Sequence, residues 1–573
     1  MKHFNPRVRL VLVFLIAQPV SHAYAQVSPA SYCKNDVWVG PTSDGPASAP
    51  QSCVDTSWMP SQGVVTKVPA GSSLAAAVNA AACGDTLMLH AGATYQASGV
   101  TISKTCDASH WLKITTDGDL PDPGNRFNLQ SVSQVPLLTY TSDSPLTIGV
   151  SYIHLRGVGF VKTPGPWQLT SMTAFLPGTH HIVFGQDYAH GNPGEETQRF
   201  LQTSGVSYVA LVGSYVGEIH CIAATGACSD AQAVVGGLGD NPSKAIWIVN
   251  NYLESSGENI MFGGGEATTV PSDITVMNNW LRKPPCWNPN APNFCSGVEY
   301  VVKNHFELKS ATRVWVEGNV MEGTWGGFSQ SGFSILLTPK ASGYLCAVCE
   351  VTDVTIRYNH VKHVGSSFQI ANAPPYGVAS ERYSIHDNLI EDQNPTYYSG
   401  SGNVQVSMGT TDTNGTKSPV LGYVNFSHNT ILNTGNNMMT VGDFLSEGYP
   451  PMPGFTMNNN IFQSGIWPVW SIGDQGGYKD CADSDVPTLI FSSCFANLQW
   501  GGDLIVGPVN TTDYPFPAGT NFAPTLAAVG FNPDYSLSAT SPFKGTATDG
   551  SDPGVNVPML DAATATAVSG VNH

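Results

Sequence analysis

The densest gathering of reactive side chains is Tyr300-Val-Val-Lys303-Asn304-His305-Phe306-Glu307-Leu308-Lys309-Ser310. Glu307 and Lys309 stand two residues apart, so on an extended strand they project from one face. Lys303 and His305 precede them by even steps, and Arg313 follows. A lysine whose pKa is lowered by desolvation or a nearby cation can remove the proton next to a uronate carboxylate. A carboxylate-bound divalent cation then neutralises the substrate acid and stabilises the enolate. Together these steps make β-elimination from an acidic glycan. The same two residues would also serve as a surface ion pair worth about 0–1 kcal/mol.

Aromatic and amide groups supply the binding half. Trp325, in the Gly-rich run Gly323-Thr-Trp-Gly-Gly-Phe328, follows the reactive strand, and Trp280, Trp287 and Trp315 are near it in sequence. An indole face suits a pyranose ring, and it equally suits a core. Gln369 and Gln405 fall on the outer face of later strands and are candidates for hydrogen bonds to sugar hydroxyls. His360, His363, His386 and His428 follow repeated Asn corners, where turn roles are expected.

The elements that carry these residues recur. An apolar residue, two spacers, Asn and an apolar pair or near-pair appear around Asn251, Asn279, Asn319, Asn359, Asn388, Asn429 and Asn460, with gaps of 28, 40, 40, 29, 41 and 31. A propeller would keep its period more strictly. A right-handed parallel β-helix tolerates loops of unequal length, because only its strands must stack. Asn accepts left-handed backbone angles at a sharp corner, and its side chain can bond the Asn one coil above. Short alternating strands follow the corners. They place Phe306, Leu308, Phe333, Ile335, Phe368, Ile370, Val404 and Val406 inside, and Glu307, Lys309, Ser334, Gln369, Gln405 and Ser407 outside.

A Ser-capped, Ala-rich helix ended by Gly84 is expected ahead of this body, covering the open end of the core, with a strand after it. This stretch, with Gly92 to Ile102, resembles the opening of secreted β-helix proteins of the pectate-lyase-like superfamily. Ser541-Pro-Phe-Lys-Gly545 and Asp549-Gly-Ser-Asp552 resemble the segment that closes many of them. The resemblance implies an all-β fold over roughly residues 63–560. Glu307-Leu308-Lys309-Ser310, followed by Arg313 and the corner Val316-Glu317-Gly318-Asn319, is similar to the Glu and Lys-Ser segment of the alginate lyase and chondroitinase B family. That similarity implies Lys309 as base, an assisting Arg about one coil later and Glu307 as a ligand of Ca2+; the nearby basic residues for the assisting role are Arg313 and Lys340. The strand one coil on, Phe333-Ser334-Ile335-Leu336, carries no Arg.

Composition bounds the partners. Lys plus Arg number 24 against 42 Asp plus Glu, which disfavours nucleic acid and would also repel a polyuronate unless a bound cation or local basic residues bridged the two; the polysaccharide expected as partner is what the resemblance implies. Lys2, Arg7 and Arg9, the apolar run Leu10 to Ala17 and Ala23-Tyr24-Ala25 read as an export signal cleaved near Ala25. Residues 26–62 read as an extended leader and 561–573 as a C-terminal tail. No later stretch approaches the roughly 18 apolar residues of a membrane span. A secreted monomer, periplasmic or extracellular, is expected.

The 12 Cys fall into near neighbours: 33 with 53, 83 with 106, 221 with 228, 286 with 295, 346 with 349, and 481 with 494. Disulfides are the expected reading, with a Cys346-x-x-Cys349 zinc knuckle as the rival. The leading functional reading is a polysaccharide lyase. The alternatives are a non-catalytic glycan-binding surface protein and an inverting glycoside hydrolase pairing Glu307 with Glu317, Glu322 or Asp443. Patterns of polygalacturonases, pectinesterases, pectate lyases, Gly-x-Ser-x-Gly hydrolases and His-Glu-x-x-His metallopeptidases are absent.

Overall fold

At each Asn corner the chain leaves one parallel sheet and enters the next. In the computed structural model, residues 29–571 are described apart from 239–242, 266, 329, 342–347, 373–377, 410–416, 443–449 and 472–480. The export signal, Cys346 and Asp443 lie outside the described residues. Two 14-stranded sheets and one 9-stranded sheet, parallel throughout, stack the coils of a right-handed parallel β-helix. The first sheet runs from Val65–Val68 to Gln499–Gly501 and the second from Thr94–Gln96 to Asn521–Ala523. The third runs from Arg199–Gln202 to Val469–Trp470.

The expected asparagine ladder is present. Nδ2 of Asn251, Asn279, Asn319, Asn359, Asn388 and Asn429 each donates to Oδ1 of the next Asn, at 3.0, 3.0, 2.9, 3.0, 2.9 and 3.2 Å. Each backbone N–H donates to the same oxygen. Asn460 passes both donors to Asp503 Oδ1 at 2.9 Å, and Ser214 N–H starts the row at Asn251 Oδ1. The left-handed residue is not the ladder Asn but the one before it: Asn250, Asn278, Gly318, Tyr358, Asp387, His428 and Asn459 have φ between 51° and 68°. The preceding residue takes the bend, and the ladder Asn is left free to fill its bonds inside the corner.

Alternation places the inner residues in one continuous core: Phe306, Leu308, Ile335, Phe368, Ile370, Val404 and Val406 all lie in it. The capping helix spans Leu74–Ala80, with Ser73 Oγ accepting Ala76 N–H at 3.2 Å and Leu74 and Val78 buried. It ends before Gly84 because Ala82 N–H turns away to the Asp85 carboxylate at 2.8 Å, and Gly84 serves the following turn at φ 91°. At the other end, Pro487–Cys494 lays Ile490 and Phe491 against the core.

The leader is packed rather than merely extended. Tyr32, Trp38, Ala49 and Val54 cover an apolar outward row of the first sheet that includes Val183, Ala210, Trp247 and Trp315. Five of the expected disulfides form, from Cys33–Cys53 to Cys481–Cys494, and suit an oxidising compartment. No helix among the described residues is long and apolar enough to cross a membrane.

Candidate active site

Glu307 lies on the strand Phe306–Leu308 of the third sheet, its neighbours Phe306 and Leu308 turned into the core. Lys309 follows on the same outer face, with its Nζ 3.5 Å from Glu307 Oε1. Beneath Lys309 the chain is cut back to Gly263-Gly264, where a Cβ on Gly264 would stand 3.0 Å from Lys309 Cδ. Backbone with φ of 102° at Gly264 and this close approach both call for glycine there.

One coil earlier, Glu258 precedes the strand Ile260–Phe262 and is fully buried. Its Oε2 accepts from Gln232 Nε2 at 2.9 Å, and Gln232 Oε1 accepts from Arg199 Nε at 2.9 Å. Lys303 Nζ stands 3.5 Å from Glu258 Oε1 and makes a short ion pair with Asp230. The Glu258 charge acts on Glu307 and disfavours its ionisation. Three cations, Arg199, Lys303 and Lys309, therefore meet three carboxyls, Asp230, Glu258 and Glu307. The group is open on one side: 21% of the Lys309 side chain and 36% of that of Asp230 are exposed, against 6% for Glu307.

The electrostatics divide the roles. Burial pushes the Glu307 carboxyl up to about 7, Lys309 pulls it back and Glu258 adds to the rise. Glu258 is held below the usual carboxylate range because Lys303 and Lys309 outweigh its burial. Burial alone would lower Lys309, but Glu307 and Glu258 overcome it and hold the ammonium above its ordinary value. Lys303 is raised in the same way by Glu258 and Asp230. Of the two buried carboxyls, Glu258 is thus kept ionised and Glu307 is raised toward neutrality, while both lysines stay charged.

Lys303, Glu307 and Lys309 come together, and Arg313 does not join them. It lies on Ala311–Glu317 of the first sheet, where Asp273 accepts its Nε and Nη2 at 2.7 and 3.0 Å. The corner after Lys309 carries the chain to another face, so alternation counted from Lys309 no longer applies. His305 also leaves the outer face, buried with Nδ1 2.9 Å from Ser334 Oγ. Trp325 is 5% exposed and packs with Ile222, Trp287, Tyr300, Val302 and Tyr398, so its indole face is not free for a sugar. Gln369 and Gln405 do share the outer row of Glu307, in the order Glu307, Leu336, Gln369, Gln405, Thr440, Trp470. Gln369 Nε2 donates to Gln405 Oε1 at 3.2 Å.

Glu258, Asp230, Arg199 and Gln232 were missed from sequence, as was Trp470 at the far end of the row, whose ring lies 5.9 Å from that of Trp467. The donor set does not fit a calcium ion around Glu307. Its carboxylate neighbours are already matched by two ammonium groups, and no group of three His, Cys, Asp or Glu among the described residues is arranged to hold a metal. Glu317 and Glu322 are likewise elsewhere, the first bonded to Trp315 and Arg357, the second to Trp280 and Arg282.

No family model matches the sequence, and no curated protein matches it. Several solved structures are similar in shape. The alginate lyase from Paenibacillus sp. str. FPU-7 has a TM-score of 0.32 at 12% identity, over 66% of this chain and 94% of that one. The PL6 family alginate lyase AlyGC has a TM-score of 0.43 at 12% identity over 89% of this chain, which spans only 59% of that protein. The catalytic domain of GH87 alpha-1,3-glucanase in complex with nigerose has a TM-score of 0.42 at 8% identity, over 83% of this chain and 70% of that one.

Proposed function

We propose that this protein is a carbohydrate-active β-helix, a polysaccharide lyase that cleaves an acidic glycan by β-elimination on the outer face of the third sheet. The observation that carries the reading is a carboxyl brought near neutrality, Glu307, against an ammonium kept charged, Lys309. β-Elimination needs a base for the proton beside the substrate carboxylate and a cation for the carboxylate itself. Lys309, expected above as the base, fits the second role better, since its neighbours hold its proton. Glu307 then takes the ring proton, the electron pair forms the new double bond as the C–O bond to the leaving sugar breaks, and the departing glycosidic oxygen takes a proton from solvent water. Lys303 and Arg199 add positive charge where the carboxylate would sit. No step runs through a metal.

The row from Glu307 to Trp470 crosses five strand spacings of about 4.8 Å each, roughly 24 Å. A glycan lying along the helix axis would meet Gln369 and Gln405 before reaching the Trp470 and Trp467 rings. A purely glycan-binding role is the second reading, favoured by the deep burial of both glutamates.

The deciding experiment follows the ultraviolet absorbance of unsaturated uronate while the secreted chain is incubated with alginate, pectate and chondroitin, with and without a chelator. A rise that survives chelation is expected. Retention of a glycan without any rise supports the binding role and sinks the lyase.

A further inference from the structure

A second concavity of about 730 Å³ lies under the leader, on the outer face of the first sheet and away from the Glu258–Glu307 group. Its volume falls in the range of small-molecule sites. His154 and Arg156 on the strand Ile153–Arg156 form one wall, and Trp58 of the leader faces them. The His154 and Trp58 rings meet edge to face at 4.7 Å, and the Arg156 guanidinium lies 5.6 Å from the indole centroid.

Two features mark this cavity as built for a ligand. Arg156 gives Nε and Nη2 to Gln186 Oε1 at 3.0 and 2.8 Å, and no carboxylate among the described residues pairs with it. Asp187, the carboxyl whose field reaches it, is itself pushed up by burial and accepts Val158 N–H at 2.8 Å instead. Gln186 is locked in turn, its Nε2 donating to the carbonyls of Pro121, Asp122 and Asn125 at 3.0, 3.1 and 2.9 Å. The guanidinium is therefore fixed in direction yet left without a counter-charge. His154 is 4% exposed, and its ring nitrogens have no hydrogen-bond partner among the described residues. The space beside it is kept by Gly185, where a Cβ would stand 3.2 Å from His154 Nε2. Lys34 and Asp55 on the rim offset each other in charge.

We infer that this cavity is a second ligand site that takes a small sugar acid, its carboxylate on Arg156, a hydroxyl on His154 and its ring against Trp58. A carboxylate answers the unpaired guanidinium, which favours planar two-oxygen partners. A hydroxyl answers the imidazole, which burial, then Arg156 and Lys113, hold neutral with its pKa near 3, so that one ring nitrogen donates and the other accepts.

The test titrates the mature full-length chain with galacturonate, glucuronate, glucose and inorganic phosphate, read by calorimetry and by tryptophan fluorescence. Saturable binding of a uronate, weakened about tenfold or more by Arg156→Gln, is the expected result. Gly185→Ala, which narrows the space without touching a charge, should weaken it too and decides the matter if Arg156→Gln does not fold. Absence of uronate binding, equal binding of glucose, or tighter binding of phosphate overturns the inference. So does an affinity that ignores both substitutions. Lys309→Ala runs in parallel: loss of uronate binding there assigns the ligand to the other site, whereas failure of glycan cleavage alone leaves this inference standing.

Discussion

Asp503→Asn should stabilise the protein at neutral and alkaline pH and leave it nearly unchanged in acid. Asp503 closes the asparagine ladder, accepting N–H and Nδ2 of Asn460 at 2.9 Å and Gly501 N–H at 3.3 Å. Burial raises its carboxyl from 3.8 to about 8, and these hydrogen bonds only moderate the rise. Between the two values the folded chain holds a proton that the unfolded chain has released. Stability contributed by this group is whole below pH 4 and falls as pH climbs toward 8, by about 1.4 kcal/mol per unit. Across the window the loss is on the order of 5 kcal/mol. An amide has no such proton to lose, and seven Asn already fit the same row. Thermal unfolding of the two proteins at a fixed scan rate, from pH 4 to pH 9, should give Tm curves that diverge by several degrees with rising pH and then run parallel above 8. Parallel curves from pH 5 to 8 would refute the assignment of a buried, protonated carboxyl at the ladder's end.

At the candidate active site, Lys309→Ala and Glu307→Gln should each lower the cleavage rate about 10²–10⁴-fold with little change in Tm, measured by uronate absorbance and thermal melting. The Asp44 carboxylate accepts from His386 at 3.0 Å and pairs with Arg357, which fastens the leader. Burial opposes both charges, yet Asp44 sits at about 2 and His386 at about 9. The His386 contribution is whole below about pH 6.5 and lost through 9, and that of Asp44 is whole above about 4 and lost through 2. Protease nicking of the leader should therefore be slowest between pH 4 and 6.5, and Asp44→Asn should speed it there. Trp325→Ala should cost about 3–5 kcal/mol of stability by opening a cavity, and glycan affinity should change no more than stability explains.

The coils were legible because their signals are local. An Asn corner and a two-residue alternation repeat whatever the intervening loops do, so the ladder and the inner faces could be read from spacing. The Glu258–Glu307 pair was not, since it rests on register between strands 46 residues apart, and only the sheet alignment sets Met261 beside Glu307. Arg313 was taken as a basic residue near Lys309 in sequence, but the corner between them carries it to another sheet. The Gly-rich run around Trp325 was read as presenting an indole to a sugar ring. Its glycines serve close approach instead, since a Cβ on Gly326 would fall 2.1 Å from Ser399 O.

Both chain ends run lengthwise over the coils. From Asp44, beside His386, the leader passes Asp353 and Asp273 and reaches Lys113, which donates to Pro60 O. The tail passes Asn459, Asp387 and Asn278 and ends with Gly570 O accepting Arg126 N–H. A stack in which each coil touches only its neighbours can fray from either end, one coil at a time. Two straps tie coils many steps apart, so a terminal coil cannot peel without lifting a strap that also holds the middle. Unfolding should then resemble the snapping of a splinted rod more than the unzipping of a spring, with slow hydrogen exchange spread evenly along the axis.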